Sequence, residues 1–260
     1  MPQFDPIDRD SVRQRLEKRL LGHIVLFYDE VDSTNDTLVG LAREHIPDGV
    51  VVVAENQRRG QGRQGKPWNS EPGMGLTFSF LLKPRIHDFS TAVSMLAPVA
   101  IIQALSKFCS VPFWIKWPND IFAEGKKISG ILIEKTSDND VIVGIGININ
   151  QEINDFDRSI REAAGSLRML AGDSCDRTEV LIAVLRAFEK YYVRLAGRGN
   201  QVLQSEWERL SCVTGKRVRI ESGTVTCEGL ATGFTETGGL VLELDDGEIS
   251  EFATGSLIFL

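Results

Sequence analysis

The segment from Val141 to Asn150 constrains the fold more than any other part of the chain. In VIVGIGININ every odd-numbered position holds a branched aliphatic residue, whereas the even positions from 144 onward hold glycine or asparagine. Side chains alternate between the faces of a strand, so this pattern predicts a β-strand with one core face and one unusually bare face. Interior glycines weaken a strand unless another group approaches its backbone closely. Two interpretations stay open: a flat ring lies over Gly144 and Gly146 with Asn148 at its edge, or a helix packs there.

The neighbouring sequence extends this strand into a mixed α/β region. Short apolar or β-branched segments predict strands at residues 23–28, 49–55 and 76–82, and residues 112–150 predict three strands joined by turns at 124–126 and 138–140. Helical spacing predicts a first helix through Val12, Leu16 and Leu20, and further helices at 91–108, 157–171 and 178–196. Thr178 is the expected cap of the last helix. Pro98 is expected to kink the 91–108 helix or to mark its true start.

The sequence changes character near its C-terminal end. From Gly215 short strands alternate with glycine turns such as Gly238-Gly239 and Asp246-Gly247. Strands this short and this close predict a small antiparallel barrel or sandwich. We therefore expect a large mixed domain at residues 1–212, followed by a small β module at residues 213–260.

Composition excludes several classes of protein. The 260 residues include 29 basic and 36 acidic side chains, a net charge of −7, which argues against a duplex-binding protein and against nucleic acid as a partner. No apolar segment is long enough to span a bilayer, and the first 20 residues lack the apolar stretch of a secretory signal. The four cysteines are widely separated, so no protein-held metal site is expected. These features favour a cytoplasmic protein without a membrane partner.

A glycine-rich loop follows the predicted strand at 49–55. Earlier in the chain, before that strand, residues Ser33 to Asp36 resemble a capping box that opens a helix extending to about His45. The sequence Gly60-Gln61-Gly62-Arg63-Gln64-Gly65 has dinucleotide-binding spacing, but two prolines follow where a helix should start, and Pro67 excludes a Walker loop. The loop holds four cations, Arg58, Arg59, Arg63 and Lys66. Converging amides and arginines suit an oxyanion, so we interpret it as an anion cradle; a solvated basic loop is the alternative.

The sequence KWPND places charged and amide groups around a proline turn. Lys116, Asn119 and Asp120 lie between apolar residues, so they are expected to be partly buried and to need partners. Lys116 and Asp120 could pair with each other. Lys127 stands at the start of a strand that carries Gly130, where a lysine is either solvent-exposed or functional.

These motifs together resemble biotin protein ligases. The matching segments are, in order, Asp32-Ser33-Thr34-Asn35, the 57–70 loop, KWPND, Lys127-Ile128-Ser129-Gly130-Ile131-Leu132-Ile133-Glu134 and Gly144-Ile145-Gly146-Ile147-Asn148. The resemblance implies an α+β fold, with a catalytic domain like class II aminoacyl-tRNA synthetases, a mixed sheet with helices on one side, and an SH3-like C-terminal module. It implies an enzyme that makes biotinyl-5′-AMP from biotin and MgATP. The biotinyl group then passes to a lysine of a biotin carboxyl carrier protein.

The resemblance also implies roles for individual residues. Ser33, Thr34, Asn35 and Gln57 would line the biotin head, and Gly60, Gln61, Gly62 and Arg63 would border biotin and phosphate. Trp68, Gly130, Gly144 and Gly146 would complete the binding site, with Asn148 at the adenine. Lys127 would approach the biotin carboxylate and the α-phosphate. The reaction centre would hold Lys116, Asn119 and Asp120, so the expected catalytic residues are Arg63, Lys116, Asp120 and Lys127.

The sequence departs from the family pattern at two loop positions, and rival functions remain open. Gln61 and Lys66 replace arginines that are common in the family, so side-chain contacts with phosphate are in doubt there. About 22 residues precede the first strand, too few for the winged helix of members that repress transcription. A lipoate or octanoate ligase and a non-catalytic biotin sensor are the alternatives. A homodimer is expected by resemblance alone.

Overall fold

The computed structural model describes residues 6–84, 89–198 and 201–260, and its larger sheet has seven strands. In chain order they are β1 (Val25–Val31), β2 (Val51–Gln57), β3 (Gly75–Leu82), β4 (Trp114–Lys116), β5 (Asp120–Ala123), β6 (Lys126–Lys135) and β7 (Val141–Asn148). The spatial order is β1-β2-β3-β7-β6-β5-β4, with β1 and β2 parallel and the other neighbours antiparallel. The sheet is therefore mixed, as predicted.

Helices cover both faces of this sheet, whereas the resemblance implied helices on one side. The helices are α1 (Arg9–Leu16), α2 (Thr34–Ala42), α3 (Phe89–Leu105), α4 (Leu167–Ala171), α5 (Arg177–Arg198) and α6 (Gln201–Leu210). The main core contains residues of α1, α3, α5 and α6 with Val143, Ile145 and Ile147 of β7. On the opposite face α2 packs its Leu38 against Ile142 in a smaller cluster. In β7 the predicted alternation thus separates a core face from the α2 face.

Five antiparallel strands form a second sheet near the C-terminus, which confirms the predicted all-β segment. They are β8 (Arg217–Ser222), β9 (Val225–Phe234), β10 (Leu240–Leu244), β11 (Ile249–Phe252) and β12 (Ser256–Phe259), in the spatial order β11-β10-β9-β8-β12. Phe234 packs edge-on against Trp207 of α6 with ring centroids 6.0 Å apart. The Trp117 indole N–H donates to the carbonyl of Gly238 at 3.0 Å. The module is thus joined to the KWPND turn.

The structure corrects several predicted elements. Residues 112–150 form four strands, since a cis Trp117–Pro118 bond and a turn separate β4 from β5. The first helix ends at Leu16, before Leu20, and α2 ends at Ala42, before His45. Pro98 lies inside α3, so it does not mark the start of that helix. Helix α6 was not predicted from the sequence.

The predicted helix at 157–171 is wrong except for its last turn, α4. The backbone of this segment bonds to β6 instead of forming a helix. The backbone amide of Lys127 donates to the carbonyl of Ala163 at 2.7 Å, and the Lys127 carbonyl accepts from the amide of Gly165 at 3.0 Å. Ser166 then caps α4. These contacts hold the segment against β6 and fix the backbone of Lys127.

The cap predicted for α5 is also wrong. Asp176 Oδ1 accepts from the amides of Thr178 at 2.7 Å and Glu179 at 3.2 Å, which is the bonding pattern of an N-cap. The hydroxyl of Thr178 instead accepts from the amide of Asp8 at 3.0 Å, tying the segment before α1 to α5. In the described part of the chain, no helix is long and apolar enough to cross a membrane.

Candidate active site

A cavity lies on the α2 side of the larger sheet, beside the first turn of that helix. It brings together most of the predicted site residues: Ser33, Thr34, Asn35, Gln57, Gln61, Gly62, Arg63, Trp68, Lys116, Asn119, Asp120, Lys127, Gly130, Gly144 and Gly146. It is also lined by residues that the sequence analysis did not select: Gln64, Lys66, Pro67, Thr77, Trp117, Pro118, Ile131, Leu132, Ile145, Gly255, Ser256 and Leu257. Two predicted residues, Gly60 and Asn148, do not line it.

One end of the cavity is a fixed network of amides and hydroxyls. Gln57 Oε1 accepts from the amide of Thr34 at 2.8 Å and from its hydroxyl at 3.0 Å. The hydroxyl of Ser79 lies 2.6 Å from that of Thr34 and donates to Asn35 Oδ1 at 2.6 Å. Asn35 Nδ2 donates to Glu134 Oε2 at 2.6 Å. Because both ends of the Asn35 amide are bonded, its orientation is set before any ligand arrives.

Ser33 connects this network to α2. Its hydroxyl accepts from the amide of Asp36 at 3.4 Å, so the predicted N-cap is confirmed. Ser33, Thr34 and Asn35 are all buried although they are polar. Buried polar groups need hydrogen-bond partners, so this end of the cavity suits a small ring that carries both donors and acceptors.

The glycines of β7 make room for two flat groups that belong to the protein itself. A Cβ at Gly144 would lie 2.2 Å from Asn35 Oδ1, and a Cβ at Gly146 would lie 2.2 Å from Trp68 Cε2. The packed-helix interpretation therefore holds at Gly144, whereas a single ring over both glycines with Asn148 at its edge stays a prediction. A residue of α2 approaches Gly144, and a flat ring covers Gly146. A ligand bound on this face would share it with the indole of Trp68.

The glycine-rich loop, residues 58–74, folds over the cavity as a small hairpin. Gln61 forms a bridge with Pro67, and the amide of Gly62 donates to the carbonyl of Lys66 at 2.7 Å. Gln64 has a φ of 57°, a left-handed conformation that is uncommon for residues other than glycine. Gly60 lies at the base, where a Cβ would be 2.4 Å from the carbonyl oxygen of Trp68. Gly60 thus shapes the loop but does not line the cavity.

The four loop cations divide into two groups. Arg63 and Lys66 line the cavity. Arg58 instead pairs with Asp32 at 2.8 Å and with Glu30 at 3.5 Å, and Arg59 is exposed. Burial lowers the pKa of the Arg63 guanidinium below its ordinary value, while the charge of Asp120 opposes this shift. An arginine remains charged under such conditions, so Arg63 brings a positive charge into a partly desolvated place.

Lysines and one carboxylate form the other end of the cavity. Lys127 Nζ lies 2.7 Å from Asp120 Oδ1 and 5.6 Å from the centroid of the Trp68 ring. Lys116 faces Asp120 in the register of β4 and β5, but its Nζ lies over the rings of Phe122 and Phe259 at 5.3 and 5.4 Å. The alternative that Lys116 pairs with Asp120 is therefore wrong.

Two predicted binding residues have structural partners near this charged end. Asn119 Nδ2 donates to the carbonyl of Ile131 at 2.5 Å, which ties the KWPND turn to β6. Asn148 Nδ2 donates to the carbonyl of Lys127 at 3.3 Å, so it lies beside Lys127 but outside the cavity. Among the described residues there is no group of three or more His, Cys, Asp or Glu side chains that could hold a metal ion.

Comparisons with known proteins decide the family. Residues 27–151 match the Biotin/lipoate A/B protein ligase family, and residues 213–260 match the Biotin protein ligase C terminal domain. The chain is 35% identical over 246 residues to the bifunctional ligase/repressor BirA of Bacillus subtilis, covering 93% of this chain and 76% of that protein. The chain belongs to the biotin protein ligase family. The family predicted from the sequence motifs is therefore confirmed.

Other members of the family extend the likeness to nearly whole chains. The biotin–[acetyl-CoA-carboxylase] ligase of Mycobacterium tuberculosis is 28% identical, and the match covers 97% of this chain and 99% of that one. The structure of the Aquifex aeolicus biotin protein ligase in complex with biotin and ATP superposes with a TM-score of 0.81 at 30% identity. That match covers 91% of this chain and 98% of the other, so the predicted fold class is confirmed as well.

Proposed function

We propose that this chain is an ATP-dependent ligase that forms biotinyl-5′-AMP and transfers the biotinyl group to one lysine of a biotin carboxyl carrier protein. One observation carries the proposal. A single cavity joins a fixed amide and hydroxyl network to a cluster of cations. The network suits the ureido ring of biotin, and the cations suit its carboxylate and the phosphates of ATP.

In the first step an oxygen of the biotin carboxylate attacks the α-phosphorus of ATP. The bond from that phosphorus to the bridging oxygen breaks, and pyrophosphate leaves. Two anions must approach each other, so positive charge held in place stabilises the transition state. Arg63 and Lys127 would supply that charge, and both line the cavity in a partly buried setting.

In the second step the amine of the carrier lysine attacks the acyl carbon, and AMP leaves. The amine must lose a proton, and Asp120 is the proposed acceptor or orienting group because its carboxylate lies at the charged end of the cavity. The ion pair with Lys127 keeps Asp120 beside the same reacting groups. The adenylate hydrolyses readily, so the hairpin over the cavity would serve to exclude water.

Mg²⁺ would enter with ATP. Asp120 is the one carboxylate among the described residues that line the cavity. Mg²⁺ commonly takes one or two protein carboxylates together with phosphate oxygens, so this donor set fits an ion that the nucleotide brings. The ion would neutralise phosphate charge, while the protein supplies orientation and cations.

Asn148 would bond the adenine from a place next to Lys127. Its side-chain amide bonds the Lys127 carbonyl, and Asn148 lies two residues along β7 from Gly146, which lines the cavity. Gln61 and Gly62 would contribute backbone groups at the phosphate. Lys66, which lines the cavity, would keep the positive charge that an arginine gives at this position in the family pattern, but without the bidentate guanidinium.

Purified protein, biotin, MgATP and a carrier domain are enough to test the proposed function. We expect biotin-dependent exchange of pyrophosphate into ATP, and a carrier whose mass rises by one biotinyl group on a single lysine. A lipoyl or octanoyl increment in competition with biotin would instead identify a lipoate or octanoate ligase. Biotin binding without pyrophosphate exchange would identify a sensor.

We further propose two domains, at residues 1–212 and 213–260, and a cytoplasmic homodimer. Strand β1 lies at one edge of the larger sheet, where a second copy of the strand can pair with it. Sedimentation velocity with and without biotin and MgATP tests the dimer, and a single monomeric species under both conditions would refute it.

A further inference from the structure

The C-terminal module contacts the glycine-rich loop through two side-chain hydrogen bonds. The guanidinium of Arg63 donates through Nη2 to the hydroxyl of Thr254, in the turn between β11 and β12. Two residues on, the hydroxyl of Ser256 donates to Gln64 Oε1 at 3.0 Å. Successive residues of the loop are therefore held by alternate residues of the module.

These two bonds act on the tip of the loop, at Arg63 and Gln64. Gln64 occupies a left-handed conformation, and the following Gly65 has a φ of 70°. Inside the hairpin tip the amide of Lys66 donates to the carbonyl of Arg63 at 3.2 Å. Thr254 and Gln64 are exposed, so their bonds contribute little to the core. Their main effect is to fix the position of the loop tip.

The bond to Thr254 also sets the direction of the Arg63 side chain. A guanidinium carries five N–H groups in a rigid plane, so one bond at its outer edge fixes where the others point. Arg63 also lines the cavity, and the charge of Asp120 acts on it. The hydroxyl of Thr254, which does not line that cavity, thus orients an arginine that does.

We propose that Thr254 and Ser256 are positioning residues that hold the glycine-rich loop closed and aim Arg63 at the α-phosphate of biotinyl-5′-AMP. This assignment rests on the proposed function and deepens it. The adenylate is an anion retained between two steps, so a loop that opens less often loses it more slowly. The bond from a module outside the catalytic sheet makes adenylate retention depend on that module.

The test measures release of biotinyl-5′-AMP from the full-length protein. Labelled adenylate is formed on the enzyme, unlabelled biotin and ATP are added in excess, and the rate of loss is followed. We expect Thr254→Val and Ser256→Ala to release it about 3- to 10-fold faster, in line with losing one net hydrogen bond. Thr254→Ser keeps the hydroxyl and should release it at the wild-type rate. Thr232→Val is the matched control, because Thr232 is an exposed threonine of the same module whose hydroxyl donates to Val241.

The outcomes separate this assignment from the proposed function. Release from Thr254→Val at the wild-type rate or slower would overturn it, as would Thr254→Ser behaving like Thr254→Val. Equal acceleration by Thr232→Val would overturn it too, because the effect would then be general to the module. A wild-type protein that forms no adenylate would overturn the proposed function itself.

Discussion

A methyl group added at position 144 should disable the amide and hydroxyl end of the cavity, where biotin is proposed to bind. The Cβ of Gly144→Ala would lie 2.2 Å from Asn35 Oδ1, whereas ordinary contact begins at 3.4 Å, so one of the two must move by 3.4 − 2.2 = 1.2 Å. Asn35 is buried and bonded at 2.6 Å to both Ser79 and Glu134. A shift of this size takes at least one of these bonds out of hydrogen-bond range.

The cost divides between stability and binding. A buried polar group left without its partner costs about 1–3 kcal/mol, and we expect a loss of that size in the free energy of unfolding. Biotin affinity should fall by about 100-fold, equivalent to about 2.8 kcal/mol, because the displaced amide and the new methyl group both alter the surface proposed to receive the ureido ring. Urea denaturation and calorimetric titration with biotin measure the two effects.

Two further variants make the reasoning refutable. Gly40→Ala is the control, because Gly40 lies in α2 with no atom within 4 Å of an added Cβ, and it should raise stability by about 0.5–1 kcal/mol without changing biotin affinity. Asn35→Ala combined with Gly144→Ala should cost less than the sum of the single changes, since the clash is gone. Additive costs, or wild-type biotin binding by Gly144→Ala, would refute the proposed contact.

Three further predictions concern charge. Lys127→Ala should lower the rate of pyrophosphate exchange by about 100-fold or more, as expected for one preorganised donor, while its partly exposed ion pair with Asp120 leaves stability within about 1 kcal/mol; a near-wild-type rate would remove Lys127 from the mechanism. Arg63→Gly should release adenylate and label bystander lysines, and labelling confined to the carrier would contradict this. Burial raises the pKa of the Asp48 carboxyl, so the folded chain holds the proton of this group more tightly than the unfolded chain does. The stabilisation from this proton is therefore lost as the pH rises through the raised pKa. Asp48→Asn should flatten the pH dependence of urea midpoints above about pH 4, and an unchanged slope would contradict the assignment.

Local patterns were enough to predict most strands of both sheets, although β4 and β5 were predicted as one strand. The alternation in β7 and the turns between β8 and β12 are properties of neighbouring residues, and the structure confirms them. The helix predicted at 157–171 is wrong for a non-local reason, because the amide and carbonyl of Lys127, some 36 residues away along the chain, engage Ala163 and Gly165. Helix α6 was detectable, since Leu203, Trp207 and Leu210 are buried on one helical stripe.

The site was predictable where one motif carries the chemistry and not where distant segments meet. Most of the cavity lining falls in the segments matched from the sequence: Asp32-Ser33-Thr34-Asn35, the 57–70 loop, KWPND, the 127–134 segment and the glycines of β7. Ser79 and Glu134, which fix Asn35, received no role from the sequence: Ser79 lies in a mostly apolar strand, and Glu134 ends the matched 127–134 segment without a motif partner nearby. The contact of Ser256 with Gln64 joins residues 192 positions apart, and neither local sequence predicts it.

The charge distribution explains how an acidic chain can accept an anionic substrate. The whole sequence has a net charge of −7. The described residues that line the cavity include the cations Arg63, Lys66, Lys116 and Lys127 and the single carboxylate Asp120, a local balance of 4 − 1 = +3. A cleft lined mostly by one sign of charge concentrates ions of the opposite sign. Positive charge is thus concentrated where the carboxylate and phosphate of the proposed reaction would meet. The C-terminal module contacts two of these cations, because Thr254 accepts a hydrogen bond from Arg63 and the Phe259 ring lies 5.4 Å from Lys116 Nζ.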